Sequence, residues 1–199
     1  MSLGADRRKF FLVLGVIVLV VAADQATKIA IDRHFVRHDR VDLGEGRTLQ
    51  RRVVLQPPIE VVAGLFNLQY VENPGVTFGM LRNLDDSVRR PILLTIPTLV
   101  MVLLLFIIWK TPATEVVSFL GLSCIVSGAI GNLIDRVRLN YVIDFLDVYL
   151  GSYHWPSFNL ADSAISVGMG LLVIEMLRGK EPFNVRRNKS ELHQGPQRG

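Results

Sequence analysis

Hydrophobic and polar positions divide the chain into four long apolar segments that are separated by polar stretches. We place these segments at about residues 10–32, 91–109, 116–135 and 159–177. The second segment is 19 residues long and carries no charge. A helix of that length can cross a hydrocarbon core of roughly 30 Å. The pattern therefore predicts four membrane-spanning helices.

The first apolar segment allows two interpretations. Basic residues at positions 7–9 precede it and Ala22-Ala23 closes its charge-free part, which is also the pattern of a cleaved secretory signal. The helical pattern nevertheless continues beyond these alanines. Asp24 and Lys28 then lie four residues apart on one helix face, where they can form an ion pair. A retained membrane helix is the favoured interpretation.

The polar region between the first and second helices predicts a small β-sheet outside the bilayer. Apolar and polar side chains alternate through residues 65–71, as in a half-buried strand, and Asn73-Pro74-Gly75 ends the pattern. We expect the sheet to cover about residues 51–80. The preceding stretch, residues 34–58, is polar and rich in arginine. We expect an exposed loop or insertion there, which can include a short strand at residues 51–55.

The third and fourth helices are joined by a connection rich in aromatic residues. Such residues prefer the membrane interface, and we expect this connection to lie along it. Small residues in the third helix predict close helix packing; they are Gly121, Ser127, Gly128, Ala129 and Gly131. Four spans place both termini on one side, and the basic residues near the helix ends favour the cytoplasm. Residues 1–178 then form one integral-membrane domain, followed by a basic cytoplasmic tail at 179–199.

The composition supports this interpretation and excludes other classes of protein. Half of the residues are hydrophobic, 20% are charged and the mean hydropathy is +0.36. A pI near 9.5 can indicate nucleic-acid binding. Because no groove-reading motif accompanies the basic residues, we expect membrane lipid and no nucleic acid as partner. The single cysteine, Cys124, excludes a disulfide framework and a cysteine metal site.

Polar residues that could carry chemistry are concentrated in residues 131–162. Carboxylates near bilayer depth are costly unless they are paired, solvated through a cavity or used in function. Asn132, Asp135 and Arg136 share one helix face. An Asp–Arg pair that simply ends the helix at the interface is an equally good interpretation of that face.

Asp144 and Asp162 are the candidates for a catalytic pair. Asp144 lies in the apolar run Val142-Ile143-Asp144-Phe145, which would raise the pKa of a lone carboxyl group. Asp162 lies in the first turns of the fourth helix, three residues after Asn159, where a helix-capping residue is also common. If the two carboxyl groups meet, they share one proton. One can then activate water while the other polarises a carbonyl.

Other chemistries find less support in the sequence. No Gly-x-Ser-x-Gly motif is present, and the four histidines include no His-Glu-x-x-His pair, so we expect neither a metal nor another cofactor. The main alternative is a small transporter or channel component whose aspartates form an ion or proton path. Such a protein would carry polar residues through the midplane of several helices. The second helix offers only Thr95 and Thr98.

Five motifs, in this order along the chain, resemble those of the bacterial lipoprotein signal peptidases, also called signal peptidase II or prolipoprotein signal peptidase. The motifs are Asp24-x-x-x-Lys28, Asn73-x-Gly75-x-x-Phe78-Gly79, Gly131-Asn132-x-x-Asp135-Arg136, Val142-Ile143-Asp144-Phe145 and Phe158-Asn159-x-Ala161-Asp162. The resemblance covers roughly residues 10–178. It implies an all-α membrane fold of four transmembrane helices, with a small periplasmic β-sheet, or cradle, between helices 1 and 2.

The resemblance also implies roles for individual residues. Asp144 and Asp162 match the catalytic pair of an aspartic endopeptidase, and Asp24 and Lys28 match structural positions. Positions that bind substrate or support the site are matched by Asn73, Gly75, Asn132, Asp135, Arg136 and Asn159.

The family's activity implies further expectations about substrate, inhibitor and location. The substrate is a diacylglyceryl-modified prolipoprotein, cut just before its lipobox cysteine. The enzyme lies in the inner membrane with its site towards the periplasm, and globomycin-like cyclic peptides inhibit it. We expect a monomer.

Two features depart from the usual family pattern. Val76-Thr77 replaces the small residues that commonly follow the Asn-x-Gly motif, and this bulk could alter the cradle or its inhibitor contacts. The stretch from residue 34 to 58 is longer than the usual link between helix 1 and the sheet. Neither departure removes a proposed catalytic group.

Overall fold

The computed structural model describes residues 3–42, 44, 47–75 and 85–179. Over these residues the chain forms four long helices and six strands. The helices are α1 (Leu3–Phe35), α2 (Asp86–Lys110), α3 (Val116–Leu139) and α4 (Leu160–Leu177). The strands are β1 (Val36–Asp42), β2 (Thr48–Val54), β3 (Ile59–Val62), β4 (Phe66–Asn73), β5 (Val142–Leu150) and β6 (Tyr153–His154).

All four helices are long and apolar enough to cross a membrane. The apolar side chains of α1 and α2 are mostly exposed, as expected for surfaces that face lipid, and Leu19 and Trp109 are about 70% exposed (71% and 68%). Helix α3 is the central helix because it packs against α1, α2 and α4. Its buried face includes Leu122 and Val126, which are fully enclosed.

Glycines set the close contact between α3 and α4. A Cβ atom added at Gly128 would lie 2.2 Å from the backbone oxygen of Ala161. The contact recurs at Gly121 and Gly168, where each glycine packs against the other's backbone oxygen. The small residues of the third helix thus allow the two backbones to approach, as their pattern predicts.

Helix α2 begins earlier than its apolar segment suggests. Asp85 caps the helix by accepting a hydrogen bond from the backbone N–H of Ser87 at 2.9 Å. Pro91, the first residue of the predicted segment, is inside the helix. The charged residues before Pro91 form an extra turn at the helix start, beyond the apolar run.

The strands form two separate sheets. Strands β1 and β2 make a two-stranded antiparallel hairpin, in the stretch that the sequence suggested was a loop or insertion. The second sheet has the order β3-β4-β5-β6. Two of its strands, β3 and β4, come between α1 and α2 in the chain, as expected. The other two, β5 and β6, come between α3 and α4. Residues 76–84 and 180–199 lie outside the described residues, and with them Val76-Thr77, Phe78-Gly79 and nearly all of the basic tail.

Strand β5 was not predicted, and it forms most of the connection between α3 and α4. Its first four residues are all buried, so the strand lacks the alternation of apolar and polar side chains that marks a half-buried strand. Helix α3 ends at Leu139, and the left-handed backbone of the capping residue Asn140 (φ 67°) turns the chain into this strand. After this turn, β5 pairs with β4.

We predict that Gly128→Ala will destabilise the protein while Gly170→Ala will not. The added methyl at position 128 meets a backbone oxygen, whereas a Cβ atom at position 170 has no neighbour within 4 Å. Overpacking of this kind costs about 1–3 kcal/mol. Thermal unfolding in detergent should therefore show a lower Tm for Gly128→Ala alone. Equal melting temperatures for the two variants would contradict the glycine contact.

Candidate active site

A cavity of about 640 Å³ lies where α3, α4, β4 and β5 meet. Its wall includes five of the residues singled out from the sequence: Asn73, Asn132, Arg136, Asp144 and Asp162. The remaining wall comes largely from the end of β4 and from residues 155–158, which precede α4. Asp144 and Asp162, 18 positions apart in the chain, therefore face one space.

Asp144 is held by the sheet. Strand β5 pairs with β4 in a register that sets Asp144 opposite Val71 and Val142 opposite Asn73. The Asp144 residue is only 2% exposed. Its Oδ2 accepts a hydrogen bond of 2.8 Å from Asn73 Nδ2, and its Oδ1 accepts one of 2.7 Å from Asn159 Nδ2. Both oxygens therefore have amide donors.

Asp162 is held by the start of α4. Asn159 is the N-cap of this helix, and the two residues form a capping box in which each side chain accepts from the other's backbone N–H. The Oδ1 of Asp162 also accepts a hydrogen bond of 2.8 Å from Asn132 Nδ2. Asp162 is thus a helix-capping residue and also part of the cavity wall.

Asn132 and Asn159 join the two carboxyl groups. The amide of Asn159 donates to Asn132 Oδ1 at 3.1 Å and to Asp144 at the same time. Asn132 in turn donates to Asp162. A continuous path of side-chain hydrogen bonds therefore runs from Asp144 through Asn159 and Asn132 to Asp162.

The environment favours the protonated form of Asp144. Burial raises the pKa of its carboxyl group from the ordinary 3.8 to about 6. The negative charge of Asp162 also raises this pKa, while the hydrogen bonds from Asn73 and Asn159 and the positive charge of Lys28 lower it. The two carboxyl groups are therefore close enough to influence each other's charge.

A buried ionic cluster adjoins the cavity at Asn132. Lys28 Nζ lies 2.9 Å from Asp24 Oδ2, 2.9 Å from Asp135 Oδ2 and 3.1 Å from Asn132 Oδ1. The ion pair between Asp24 and Lys28 that their spacing suggested is present. Asp24 also accepts from the backbone N–H of Ala161 at 3.0 Å, and Asp135 accepts from that of Ile143 at 3.2 Å. Asp135 is thus turned away from the cavity.

Arg136 and Gly75 have different relations to the cavity. Arg136 lines the cavity wall, and its Nη1 donates a long hydrogen bond of 3.5 Å to the backbone oxygen of Asn132. The backbone N–H of Gly75 donates to Asn73 Oδ1 at 2.9 Å, with a positive φ of 80° that suits glycine. This contact turns the Nδ2 of Asn73 towards Asp144.

One charged residue of the cavity wall was not predicted from the sequence. Glu72 lines the cavity, and only its position next to Asn73 could have indicated this. Asp147, which is also buried, lies on β5 outside the cavity and pairs with Asn67 (3.1 Å) and His154 (3.0 Å). Asp147 therefore belongs to the sheet and not to the cavity wall.

The chain is similar in sequence to known proteins of one family. The family model described as signal peptidase (SPase) II matches residues 16–178. A lipoprotein signal peptidase of Desulforapulum autotrophicum is 39% identical over 82% of this chain and 90% of its own length. One of Geobacter metallireducens is 42% identical over 85% and 91%.

The fold is also similar to that of solved structures. Two, each described as a bacterial membrane enzyme, superpose with a TM-score of 0.65 at 26% identity. They cover 84% of this chain and 88% and 93% of theirs.

We predict that Asp144 makes the stability of the protein depend on pH between about 4 and 6. Because its pKa is raised in the folded protein, folding favours the neutral carboxyl group, and stability falls as pH rises through that range. Asn does not titrate. The Tm of the wild type relative to Asp144→Asn should therefore be higher at pH 4 than at pH 7, by the equivalent of up to about 3 kcal/mol.

A second variant tests the cause of this dependence. Asn73→Ala removes a hydrogen bond that lowers the pKa of Asp144. The pH-dependent loss of stability should then extend to higher pH. A Tm difference between wild type and Asp144→Asn that is constant from pH 4 to 7 would contradict the raised pKa of Asp144.

Proposed function

The chain belongs to the signal peptidase II family, and on this premise we propose that it is an aspartic endopeptidase whose catalytic pair is Asp144 and Asp162. Membership makes it a multi-pass membrane protease that removes signal peptides from prolipoproteins. The proposal concerns which groups perform the cleavage, where the substrate binds and which bond is cut.

The hydrogen-bonded path from Asp144 to Asp162 is the observation that carries this proposal. Each carboxyl group receives an amide hydrogen bond within one cavity, and the two amides are bonded to each other at 3.1 Å. Carboxyl groups arranged in this way keep different protonation states, because the neutral form of one is favoured by burial and by the charge of the other. A neutral acid beside a carboxylate can hydrolyse a peptide bond without a covalent intermediate.

The reaction follows from these two states. Asp162, as the carboxylate, accepts a proton from a water molecule whose oxygen attacks the scissile carbonyl carbon. Asp144, as the acid, donates a hydrogen bond to the carbonyl oxygen and stabilises the developing negative charge. The new carbon–oxygen bond gives a tetrahedral intermediate. When this intermediate collapses, the carbon–nitrogen bond breaks and the proton that Asp162 accepted passes to the leaving amine.

The position of the cavity supports a lipid-linked substrate. It lies beside the start of α4 and the end of α3, so a peptide bond can enter it while attached acyl chains stay in the bilayer. Trp155 and Phe158, which precede α4, line the cavity, and Trp155 is 58% exposed. We therefore infer a diacylglyceryl-modified prolipoprotein that is cut before its lipobox cysteine. The site faces the periplasm from the inner membrane.

Arg136 is proposed to orient the substrate. Its guanidinium group can donate hydrogen bonds to peptide carbonyl groups next to the scissile bond. A globomycin-like cyclic peptide would compete for the same donors and for the two carboxyl groups.

We predict that Asp144→Asn and Asp162→Asn will each reduce cleavage of a diacylglyceryl-modified prolipoprotein by about 10³-fold or more. Each substitution removes one of the two proton-handling groups, which typically contribute 10²–10⁴-fold. The measurement is turnover by purified enzyme in detergent, with folding checked by thermal unfolding.

Asp147→Asn provides the matched control. Asp147 is as buried as Asp144 and lies on the same strand, but it does not line the cavity. This variant should keep activity in proportion to its folded fraction. The assignment would be wrong if either Asp144→Asn or Asp162→Asn retained near-normal turnover.

A further inference from the structure

The hairpin β1–β2 is joined to the rest of the protein through Arg52. The hairpin follows directly on α1, and at its end the backbone N–H of Leu55 donates to Phe35 O at 2.9 Å. Arg37, Leu49 and Arg51 are exposed on its surface. Arg52 instead turns its side chain inward, where it is only 24% exposed.

The guanidinium group of Arg52 contacts three different parts of the chain. Its Nη2 donates to Asp32 at the end of α1 and to the hydroxyl of Tyr70 on β4. Its Nη1 lies 3.6 Å from Glu72 Oε1. The group also lies over two aromatic rings, 5.6 Å from the centre of Tyr70 and 5.2 Å from that of Tyr141.

These contacts converge on one end of the β4–β5 ladder. Glu72 directly precedes Asn73, and Tyr141 directly precedes the first residue of β5. Asn73 pairs with Val142 in the sheet register, two residues before Asp144. The Tyr70 hydroxyl donates to Glu72 at 3.2 Å and lies 3.3 Å from that of Tyr141. Arg52 therefore holds together the strand ends that carry Asn73 and Asp144.

Tyr70 can maintain this arrangement at ordinary pH. Burial raises the pKa of its hydroxyl well above the usual range, so the proton donated to Glu72 is retained. Glu72 also lines the cavity and is 45% exposed at its side chain. Its charge is partly balanced by Arg52 on the side away from the cavity.

We propose that Arg52 is a positioning residue for peptide cleavage, and that the β1–β2 hairpin fixes the end of β4 so that Asn73 holds Asp144 in its reactive orientation. The inference rests on the proposed function of Asp144. It gives the long link between α1 and the sheet a role: the hairpin carries a cation to the back of the β4–β5 ladder. Arg52 does not touch the cavity, so it acts through Asn73.

The chemistry predicts a specific effect on the reaction. Without Arg52, Glu72 loses its balancing charge and the strand end loses its contact with Tyr141. The hydrogen bond from Asn73 to Asp144 Oδ2 then lengthens. That bond lowers the pKa of Asp144. Its loss moves the pH dependence of turnover to higher pH, and the misplaced carboxyl group reduces kcat by roughly 10- to 100-fold. KM changes little.

The experiment compares Arg52→Ala and Arg52→Lys with Arg51→Ala. Arg51 is the preceding residue on the same strand, and its side chain is exposed on the opposite face. The measurements are kcat, KM and the pH profile with a diacylglyceryl-modified prolipoprotein. Arg51→Ala should match the wild type. Arg52→Lys keeps the charge but not the planar group that spans Tyr70 and Tyr141, so it should recover only part of kcat.

A double-mutant cycle with Asn73→Ala tests the route of the effect. If Arg52 acts through Asn73, Arg52→Ala should lower kcat in the wild-type background and have little further effect in Asn73→Ala. Full additivity of the two losses would overturn the proposal. So would an Arg52→Ala enzyme whose activity falls only with its folded fraction, at an unchanged pH midpoint.

Hydrogen exchange separates this inference from the proposed catalytic role. Backbone amides at residues 142–146 should exchange faster in Arg52→Ala than in Arg51→Ala, whether or not the protein cleaves the substrate. Faster exchange without any wild-type cleavage would refute the proposed function and leave the structural link intact. Unchanged exchange together with unchanged kcat would refute the role of Arg52. Arg52→Gln provides a variant of similar size if Arg52→Ala does not fold.

Discussion

The rest of the structure depends on the contacts of one buried group, the ammonium group of Lys28. Lys28 is 1% exposed, and a charge in such a place is tolerated only when its donors are satisfied. Its three partners are Asp24 on α1 and Asp135 and Asn132 on α3. These helices must therefore meet at one height. Asp24 also binds the backbone of Ala161, which fixes the start of α4 against the same cluster. Gly131 leaves room for that carboxylate, since a Cβ atom there would lie 2.5 Å from Asp24 Oδ2.

The same ammonium group determines how the amides above it are oriented. Lys28 can only donate, so the side chain of Asn132 turns its oxygen towards Lys28 and its nitrogen towards Asp162. The Asn132 oxygen also accepts from Asn159, whose nitrogen therefore faces Asp144 and whose oxygen accepts from the Asp162 N–H. One buried cation thus gives each proposed catalytic carboxyl group an amide donor. A hydrophobic residue in place of Lys28 would leave these orientations undetermined.

The parts of the fold that follow local patterns could be predicted from the sequence, and the parts that depend on distant contacts could not. Long apolar segments indicated the four helices, and the spacing of Asp24 and Lys28 indicated their ion pair. Strand β5 was missed because it is buried on both faces at its start, so its sequence shows no alternation. The approach of Asp135 to Lys28 joins residues that are 107 positions apart, and no periodicity records it. Arg52 lies in a stretch that its composition marked as exposed. Its inward direction depends on contacts with Asp32, Tyr70 and Tyr141, which are distant from it in the sequence.

The two proposed catalytic groups are held by different parts of the molecule. Asp162 belongs to the helix bundle, through its capping box and through Asn132 on the Lys28 cluster. Asp144 belongs to the sheet, through β5 and through Asn73 on β4. Asn159 hydrogen-bonds to both residues, and Asp135 of the Lys28 cluster also joins the bundle to the sheet by accepting from the backbone N–H of Ile143. The relation between the two carboxyl groups therefore depends on how the sheet is held against the bundle. A proposed site that is built from both parts needs the sheet fixed as firmly as the helices. In this chain the helices are fixed by Lys28, and the hairpin provides the corresponding cation, Arg52, on the side of the sheet.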